Sequence, residues 1–363
     1  MNTVMHYLRD NRDRLGLPEL GLPRDISCLT ITPRFAASAH VVIVVLDARG
    51  GRPRLVVKIP RFSGGGQAVR READNLRAVH AMRRNGFDSI PRLIAFERYR
   101  GYPLLVETAL SGRTLNPTIA RRRWRSSCQI AASGLAGLGR CGAVANADGT
   151  RRFKCLVEYP LRRLIETFPL DHEERYFGDM TRDVVSRLRV GGIPRVFEHG
   201  DSSHPNLVLL PASRGEQQVA TLGMIDWELG EPFGFPAMDL FFFLTYIAFA
   251  RRKARSSSEC VSAFHDAFFT PSAWARPFVR QYAEAMCLPI ELLTPLLTLC
   301  WSRRTAQLLT RVDQTFDQRR EPTRFSPTRF RRDMPTVRWL RANRYFHLWK
   351  HTLYNLSMLR WAE

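Results

Sequence analysis

Long apolar runs are missing from this chain of 363 residues. The best candidate, LFFFLTYIAFA from Leu240 to Ala250, has 11 residues, where a bilayer span needs roughly 20. Asp239 and Arg251 flank it, so it reads as a core helix and no membrane span is expected. The opening MNTVMHYLRDNRDRLG carries polar and charged residues where an export signal needs an apolar stretch, which predicts a cytoplasmic protein. Paired cysteines are missing as well. The seven cysteines (28, 128, 141, 155, 260, 287 and 300) are scattered and odd in number, with no Cys-x-x-Cys pair. Neither a disulfide framework nor a zinc site is expected, and a reducing compartment fits. His347 and His351 have the i, i+4 spacing that places two metal ligands on one helix face, but no third ligand stands nearby. Lysine is scarce. Of 55 basic residues four are lysine and the other 51 arginine, and the formal net charge is +21. A field of that sign favours anionic partners.

What remains is a chain that is 45% hydrophobic and 25% charged, without low-complexity tracts or internal repeats, and long enough for two domains or two lobes. HVVIVVLDARGGRPRLVVKIP reads as two strands joined by a Gly-Gly turn. SGGGQAVRREADNLRAVHAM has a glycine-rich lead-in and then a helical pattern. IPRLIAFERYR and YPLLVETAL read as two more strands around a turn near Gly101. Residues 1 to about 108 therefore form a small sheet with one helix. From about Leu115 the pattern is mostly helical, with one exception: NLVLL (206–210), the turn-rich PASRGEQQ (211–218) and VATLGMIDW (219–227) make a second hairpin. This is an α+β arrangement.

Three places carry chemistry. The first is HGDSSHPNLVLL, which sets Asp201 and Asn206 at the mouth of a strand that reads as buried. If the hairpin turn centres near Glu216, residues whose numbers sum to about 432 lie opposite one another. Asn206 then faces Asp226 at one open end, with Asp201 one loop upstream. Mg²⁺ takes oxygen ligands and commonly uses one or two protein groups, leaving water and phosphate to complete the shell. Asn206 and Asp226 suit that role, and Asp201 is left to accept a proton. The second place is Lys58, the only lysine in the first 153 residues, a compact point charge suited to phosphate. The third is Glu72. It shares a helix face with Val69, Leu76 and Val79, where a carboxylate is costly unless paired, and Lys58 is the obvious partner.

A strand lysine held by a helix glutamate, an aspartate with an asparagine five residues on, and a second aspartate after the next strand are the parts of kinase-type phosphoryl transfer. The wording HGD…N…IDWE resembles the aminoglycoside phosphotransferase family, the small-molecule branch of the protein-kinase-like fold, over roughly residues 30 to 250. The resemblance implies a bilobal fold: residues 1–108 as a nucleotide-binding lobe of sheet plus helix, 109–115 as a connector, and 116–363 as a larger, mainly helical lobe with the catalytic loop and the acceptor site. It implies Asp201 as catalytic base, Asn206 and Asp226 as magnesium ligands, and Lys58 with Glu72 as the ATP phosphate-gripping pair. In PLLVETALSGRTL, backbone groups of Glu107, Thr108 and Ala109 would meet adenine. His199 and, in GFPAMDL, Asp239 would support the catalytic loop. The loop before the lysine hairpin, TPRFAASAH, lacks the glycine usual in the family, and Ser38 is its candidate phosphate contact.

The expected activity is ATP- and Mg²⁺-dependent phosphorylation of a hydroxyl on a small molecule: a sugar, an amino alcohol or an aminoglycoside-like acceptor. An aminoglycoside is a polycation and wants clustered carboxylates. Glu158, Glu166, Asp171, Glu173, Glu174, Glu228 and Glu231 are candidates, although the net charge of +21 opposes such a ligand. The alternative is a non-catalytic kinase-like protein that binds nucleic acid or another polyanion. It would use RRRWR (121–125) and the stretch 319–350, which holds ten basic residues against two acidic. Loss of a site residue is typical of such proteins, and none of the five polar positions is lost here. The oligomeric state is not legible.

Overall fold

The computed structural model describes residues 3–31, 40–47, 51–61, 65–142, 149–189, 192–211, 221–317 and 334–362. Ser38, the hairpin turn at 212–220 and residues 318–333 therefore lie outside the described residues. By contact the chain divides into two compact units. The first comprises Met1–Leu115, His199–Asp201 and Pro205–Pro232; the second comprises Asn116–Glu198, Ser202–His204 and Phe233–Glu363.

The first unit opens with α1 (Thr3–Asp10) and β1 (Ile26–Ile31), followed by β2 (His40–Asp47) and β3 (Pro53–Pro60). Then come α2 (Gly66–Ala81), β4 (Leu93–Tyr99), β5 (Tyr102–Thr108) and the short β6 (Arg113–Thr114). Strands β1 to β5 form one antiparallel sheet in the order β1-β2-β3-β5-β4. Side chains alternate between the faces of a strand, and the two faces have different covers. Val57, Leu104 and Val106 point to one face, where they pack with Val4, Tyr7 and Leu8 of α1. Leu105 points to the other and packs on Val69 and Ala73 of α2. Lys58 is the register partner of Leu105, and Glu107 lies two residues beyond it. Both therefore belong to the α2 face. In place of the four strands and one helix expected for this region, its described residues form five strands and two helices. The extra helix was visible in the i, i+3, i+4 placing of Val4, Tyr7 and Leu8, each at most 1% exposed and each contributing roughly 2 kcal/mol by burial.

The same unit takes in β8 (Leu207–Leu210) and β9 (Thr221–Met224), which pair antiparallel, with β6 on the far side of β8. The register sets Leu207 opposite Met224, and the Ile225 N–H donates to the Asn206 carbonyl at 2.9 Å. Asn206 thus faces Ile225, one residue short of the expected Asp226. The difference lies at the end of the ladder, where Asp226 leaves extended geometry with φ +71°.

The second unit is helical apart from β7 (Val196–Glu198) and the last residues of β10 (Glu231–Gly234). Its helices are α3 (Pro117–Arg122), α4 (Trp124–Gly142), α5 (Gly149–Phe153), α6 (Tyr159–Thr167) and α7 (His172–Ser186). The later ones are α8 (Met238–Arg252), α9 (Ser257–Phe268), α10 (Arg276–Ala285), α11 (Leu293–Asp317), α12 (Met334–Ala342) and α13 (Arg344–Tyr354). Asp171 with Glu174, and Ser256 with Glu259, form capping boxes that start α7 and α9. The LFFFLTYIAFA run is the body of α8, and Leu240 to Thr245 are all buried. A helix apolar on every side belongs in a core, and Phe242 and Phe264 close on Trp301 at 6.0 and 5.6 Å. Among the described residues no helix is long and apolar enough to cross a membrane.

Candidate active site

Lys58, near the end of β3, is 4% exposed. Its ammonium lies 2.5 Å from Glu72 Oε1, 3.3 Å from Asp226 Oδ1 and 3.6 Å from Glu107 Oε1. Burial works against the charge, but Glu107, Glu72 and Asp226 outweigh it and hold the ammonium protonated well above the usual lysine range. Asp226 moves the other way. Burial opposes its charge, yet the Lys58 ammonium keeps its carboxyl below the ordinary value. It is therefore a carboxylate, with its side chain 31% exposed. Its left-handed backbone is uncommon for a residue with a side chain, costs roughly 1–3 kcal/mol, and persists where the surroundings over-determine it.

Helix α2 supplies those surroundings. Glu72 Oε1 accepts from the Trp227 N–H at 3.0 Å as well as from Lys58. Asn75, one turn on, donates its amide to the carbonyls of Trp227 and Gly230 at 2.8 and 3.1 Å. The indole of Trp227 donates back to Met224 O at 3.0 Å. One helix thus fixes both the lysine and the segment that follows Asp226. Sequence reasoning found Glu72 from the expense of burying it, but missed Asn75, whose i+3 offset from Glu72 was the available signal.

His199 joins the two polar segments. It is fully buried, its Nε2 donates to Ile225 O at 2.9 Å, and its Nδ1 accepts the Asp201 N–H at 3.2 Å. The ring also packs edge-on against Trp227 at 4.7 Å. This pairing sets the neutral Nε2–H tautomer and ties the Asp201 backbone to the residue before Asp226. Gly200 adopts φ +81°, and a Cβ there would meet the Leu229 carbonyl oxygen at 2.0 Å. Asn206 Nδ2 donates to Asp201 O at 3.0 Å. Its nitrogen is spent on holding the loop, so the amide oxygen is the end that could take a metal.

His40, on the same sheet face, is 5% exposed; burial, then the charge of Lys58, push its pKa down to about 4. Its Nδ1 lies 3.7 Å from Glu228 Oε2. The N–H groups of Thr108 and Ala109 donate to Arg92 O and Arg54 O, both at 2.9 Å. Those two donors are committed to the sheet, so their carbonyls are what the connector can still offer.

Within the second unit, Asp239 stands in the first turn of α8, where the helix dipole favours a carboxylate. Its main-chain oxygen accepts from Ser202 Oγ at 2.7 Å, and Ser202 directly follows Asp201 in the chain. Buried Glu198 accepts from Arg303 at 2.9 Å and from the Phe235 N–H at 2.7 Å. Four of the candidate carboxylates for a polycationic acceptor are already paired: Glu158 with Arg189, Glu173 with Lys350, and Asp171 and Glu174 with Arg341. Trp124, the aromatic of RRRWR, is packed under Arg251 at 3.9 Å and beside Trp274 at 5.0 Å. His351 Nε2 lies 3.0 Å from His265 Nδ1. Among the described residues no group of three or more His, Cys, Asp or Glu side chains could hold a metal. A site of one carboxylate and one amide oxygen does not require such a group.

A family model described as a phosphotransferase enzyme family matches residues 32–282. No curated protein matches. Among solved structures, the GDP complex of wild-type aminoglycoside 2'-phosphotransferase-IIIa is 14% identical, covers 98% of this chain and 100% of its own, and has a TM-score of 0.52. Aminoglycoside-3'-phosphotransferase of type VIII is 21% identical over 80% of this chain and 98% of its own, with a TM-score of 0.43. A putative fructosamine-3-kinase from Thermobifida fusca YX-ER1 is 17% identical over 78% of this chain and 93% of its own, with a TM-score of 0.42. The first of these shares the α+β, protein-kinase-like fold.

Proposed function

The chain belongs to the phosphotransferase enzyme family, and from that premise we propose that it moves the γ-phosphoryl group of ATP, with Mg²⁺, to a hydroxyl of a small molecule. The observation that carries this reading is the meeting of Lys58, Glu72 and Asp226 within 3.3 Å of the lysine nitrogen, with His199 tying the Asp201 backbone to the same segment.

In this reading residues 1–108 form the donor lobe, 109–115 the connector and 116–363 the acceptor lobe. Lys58 grips the donor's α- and β-phosphates and Glu72 keeps its ammonium in place. Backbone groups of Glu107, Thr108 and Ala109 face the base, with the carbonyls as the available contacts. Asp226 and the amide oxygen of Asn206 form a hard oxygen donor pair that fits Mg²⁺. The ion, when bound, would neutralise charge on the phosphates. Asp201 orients the acceptor hydroxyl and takes its proton. His199, and the bond from the Ser202 hydroxyl to the Asp239 carbonyl, hold the chain on either side of Asp201. Positioning and charge neutralisation do most of the work.

The acceptor follows from charge. A polycation needs unpaired carboxylates, and Glu158, Glu173 and Glu174 are each neutralised by a basic neighbour. A neutral sugar or alcohol, or an anionic metabolite, fits a chain of net charge +21 better than an aminoglycoside does.

The test is a phosphate-transfer screen over alcohols, sugars, sugar acids and aminoglycosides with Mg²⁺·ATP. The expected result is turnover of a neutral or anionic acceptor, abolished in Asp201→Asn while Mg²⁺·ATP still binds. Undiminished turnover in Asp201→Asn removes that residue as the base, and exclusive turnover of aminoglycosides overturns the charge argument.

A further inference from the structure

The roles above use the backbone of Glu107 and leave its side chain without a task. β5 pairs with β3 on one side and β4 on the other, so Glu107 is an interior residue of the sheet, 2% exposed. Its Oε1 lies 3.6 Å from Lys58 Nζ, and its Oε2 has no hydrogen-bond partner among the described residues. An ammonium has three N–H donors, and here three carboxyl groups surround it, those of Glu72, Asp226 and Glu107. If all three were ionised, two negative charges would remain uncompensated where, on the reading above, a polyphosphate must bind. Uncompensated buried charge is expensive.

The hydrogen bonds decide where the relief falls. Glu72 is raised by burial as well and its Oε2 also lacks a partner among the described residues, but its Oε1 accepts from both Lys58 and the Trp227 N–H. Asp226 is 31% exposed and reaches water. Glu107 has neither a second donor nor solvent. His40, which faces the cluster from β2, is kept neutral by burial and by Lys58 and adds no compensating charge.

We propose that Glu107 is a positioning residue that works as an uncharged carboxylic acid, holding Lys58 for the donor's phosphates only while it keeps its proton. This rests on the assignment of Lys58 to donor binding. Burial, against the pull of Lys58 and with the push of Glu72 and Asp226, leaves the carboxyl raised to about 8. Incoming phosphates add negative charge and favour the neutral acid further. At higher pH the ionised side chain repels the phosphates and competes for the ammonium.

The experiment is calorimetric measurement of the Mg²⁺·ATP Kd from about pH 7 to about pH 9.5, for the full chain and for Glu107→Gln. Above about pH 8 the wild-type Kd is expected to weaken by up to about tenfold per pH unit, and that of Glu107→Gln by less than about twofold over the whole range. The phosphates of the ligand are already ionised across this interval. A ligand-free readout accompanies it. The folded state holds a proton that the unfolded chain releases above its ordinary carboxyl pKa, so this group's contribution to stability falls as pH rises from about 4.5 to about 8. Wild type should therefore lose Tm relative to Glu107→Gln over that interval. Parallel pH dependences in the two proteins overturn the proposal, as does a folded Glu107→Gln that no longer binds Mg²⁺·ATP. If Glu107→Gln fails to fold, Glu107→Met carries the same neutral-side-chain expectation, and failure of both to fold also overturns it. No Mg²⁺·ATP binding by wild type at any pH is a different result, and it refutes the donor assignment itself.

Discussion

At the scale of single residues, Gly200 shows how narrowly the Asp201 loop is defined. Its φ of +81° suits glycine, and a Cβ would sit 2.0 Å from the Leu229 carbonyl oxygen, a backbone atom that cannot swing aside. Gly200→Ala should cost more than about 3 kcal/mol, by strain and collision together, read as a lower denaturation midpoint at unchanged m-value. A loss below about 1 kcal/mol would mean that the loop relaxes freely and that the glycine is not required. The HGD wording was legible, but the reason for its glycine was not, because Leu229 lies 29 residues away. The same contrast separates Glu72 from Glu107. Glu72 interrupts an apolar helix face, so its burial shows in local spacing and demands a partner. Glu107 ends a strand before a polar connector, and only the pairing of β5 with two neighbours reveals that it is buried.

At the scale of elements, α2 does more than cover the sheet. Its Glu72 and Asn75 hold the segment after Asp226 through Trp227 and Gly230, so a helix far away in sequence keeps Asp226 in its left-handed conformation. Asn75→Ala should take one of two donors from the buried Trp227 carbonyl, which keeps the Gly230 N–H, and the side-chain donor from the half-buried Gly230 carbonyl, and cost about 1–2 kcal/mol. It should also raise the KM for the donor, because Asp226 loses its support. A rise in the Tm of Asn75→Ala, or an unchanged donor KM, would show that the turn holds itself. Strands with dense β-branched residues around a glycine turn, β2 and β3, were readable. β1 was not, since ISCLTI buries one residue and exposes most of the rest, which blurs the alternation that marks a strand. The hairpin of β8 and β9 was read one residue out of register, because a turn position inferred from composition fixes pairing to within about a residue and no better.

At the scale of the whole molecule, the surplus of arginine separates the two readings that the sequence left open. A polyanion binder needs basic groups without acidic partners and rings free to stack. Among the described residues Trp124 is covered by Arg251 and Trp274, and Arg341 and Lys350 are paired with Glu174 and Glu173, while Trp339 is 47% exposed. A phosphotransferase instead binds its donor through a few groups placed around a metal. The two cases differ in linkage. A ligand that binds only the folded state stabilises it by RT ln(1 + [L]/Kd), about 2.7 kcal/mol at a hundredfold excess over Kd. ATP with Mg²⁺ should therefore raise the thermal midpoint by several degrees, with much less effect when Mg²⁺ is chelated and little dependence on salt. Asp226→Asn should lose most of the difference between the two conditions, because the amide is a poorer ligand for a hard cation than the carboxylate that Lys58 holds ionised. Heparin giving an equal rise with or without the metal, abolished by moderate salt, together with no response to Mg²⁺·ATP, would place the function in the basic surface and not at Lys58.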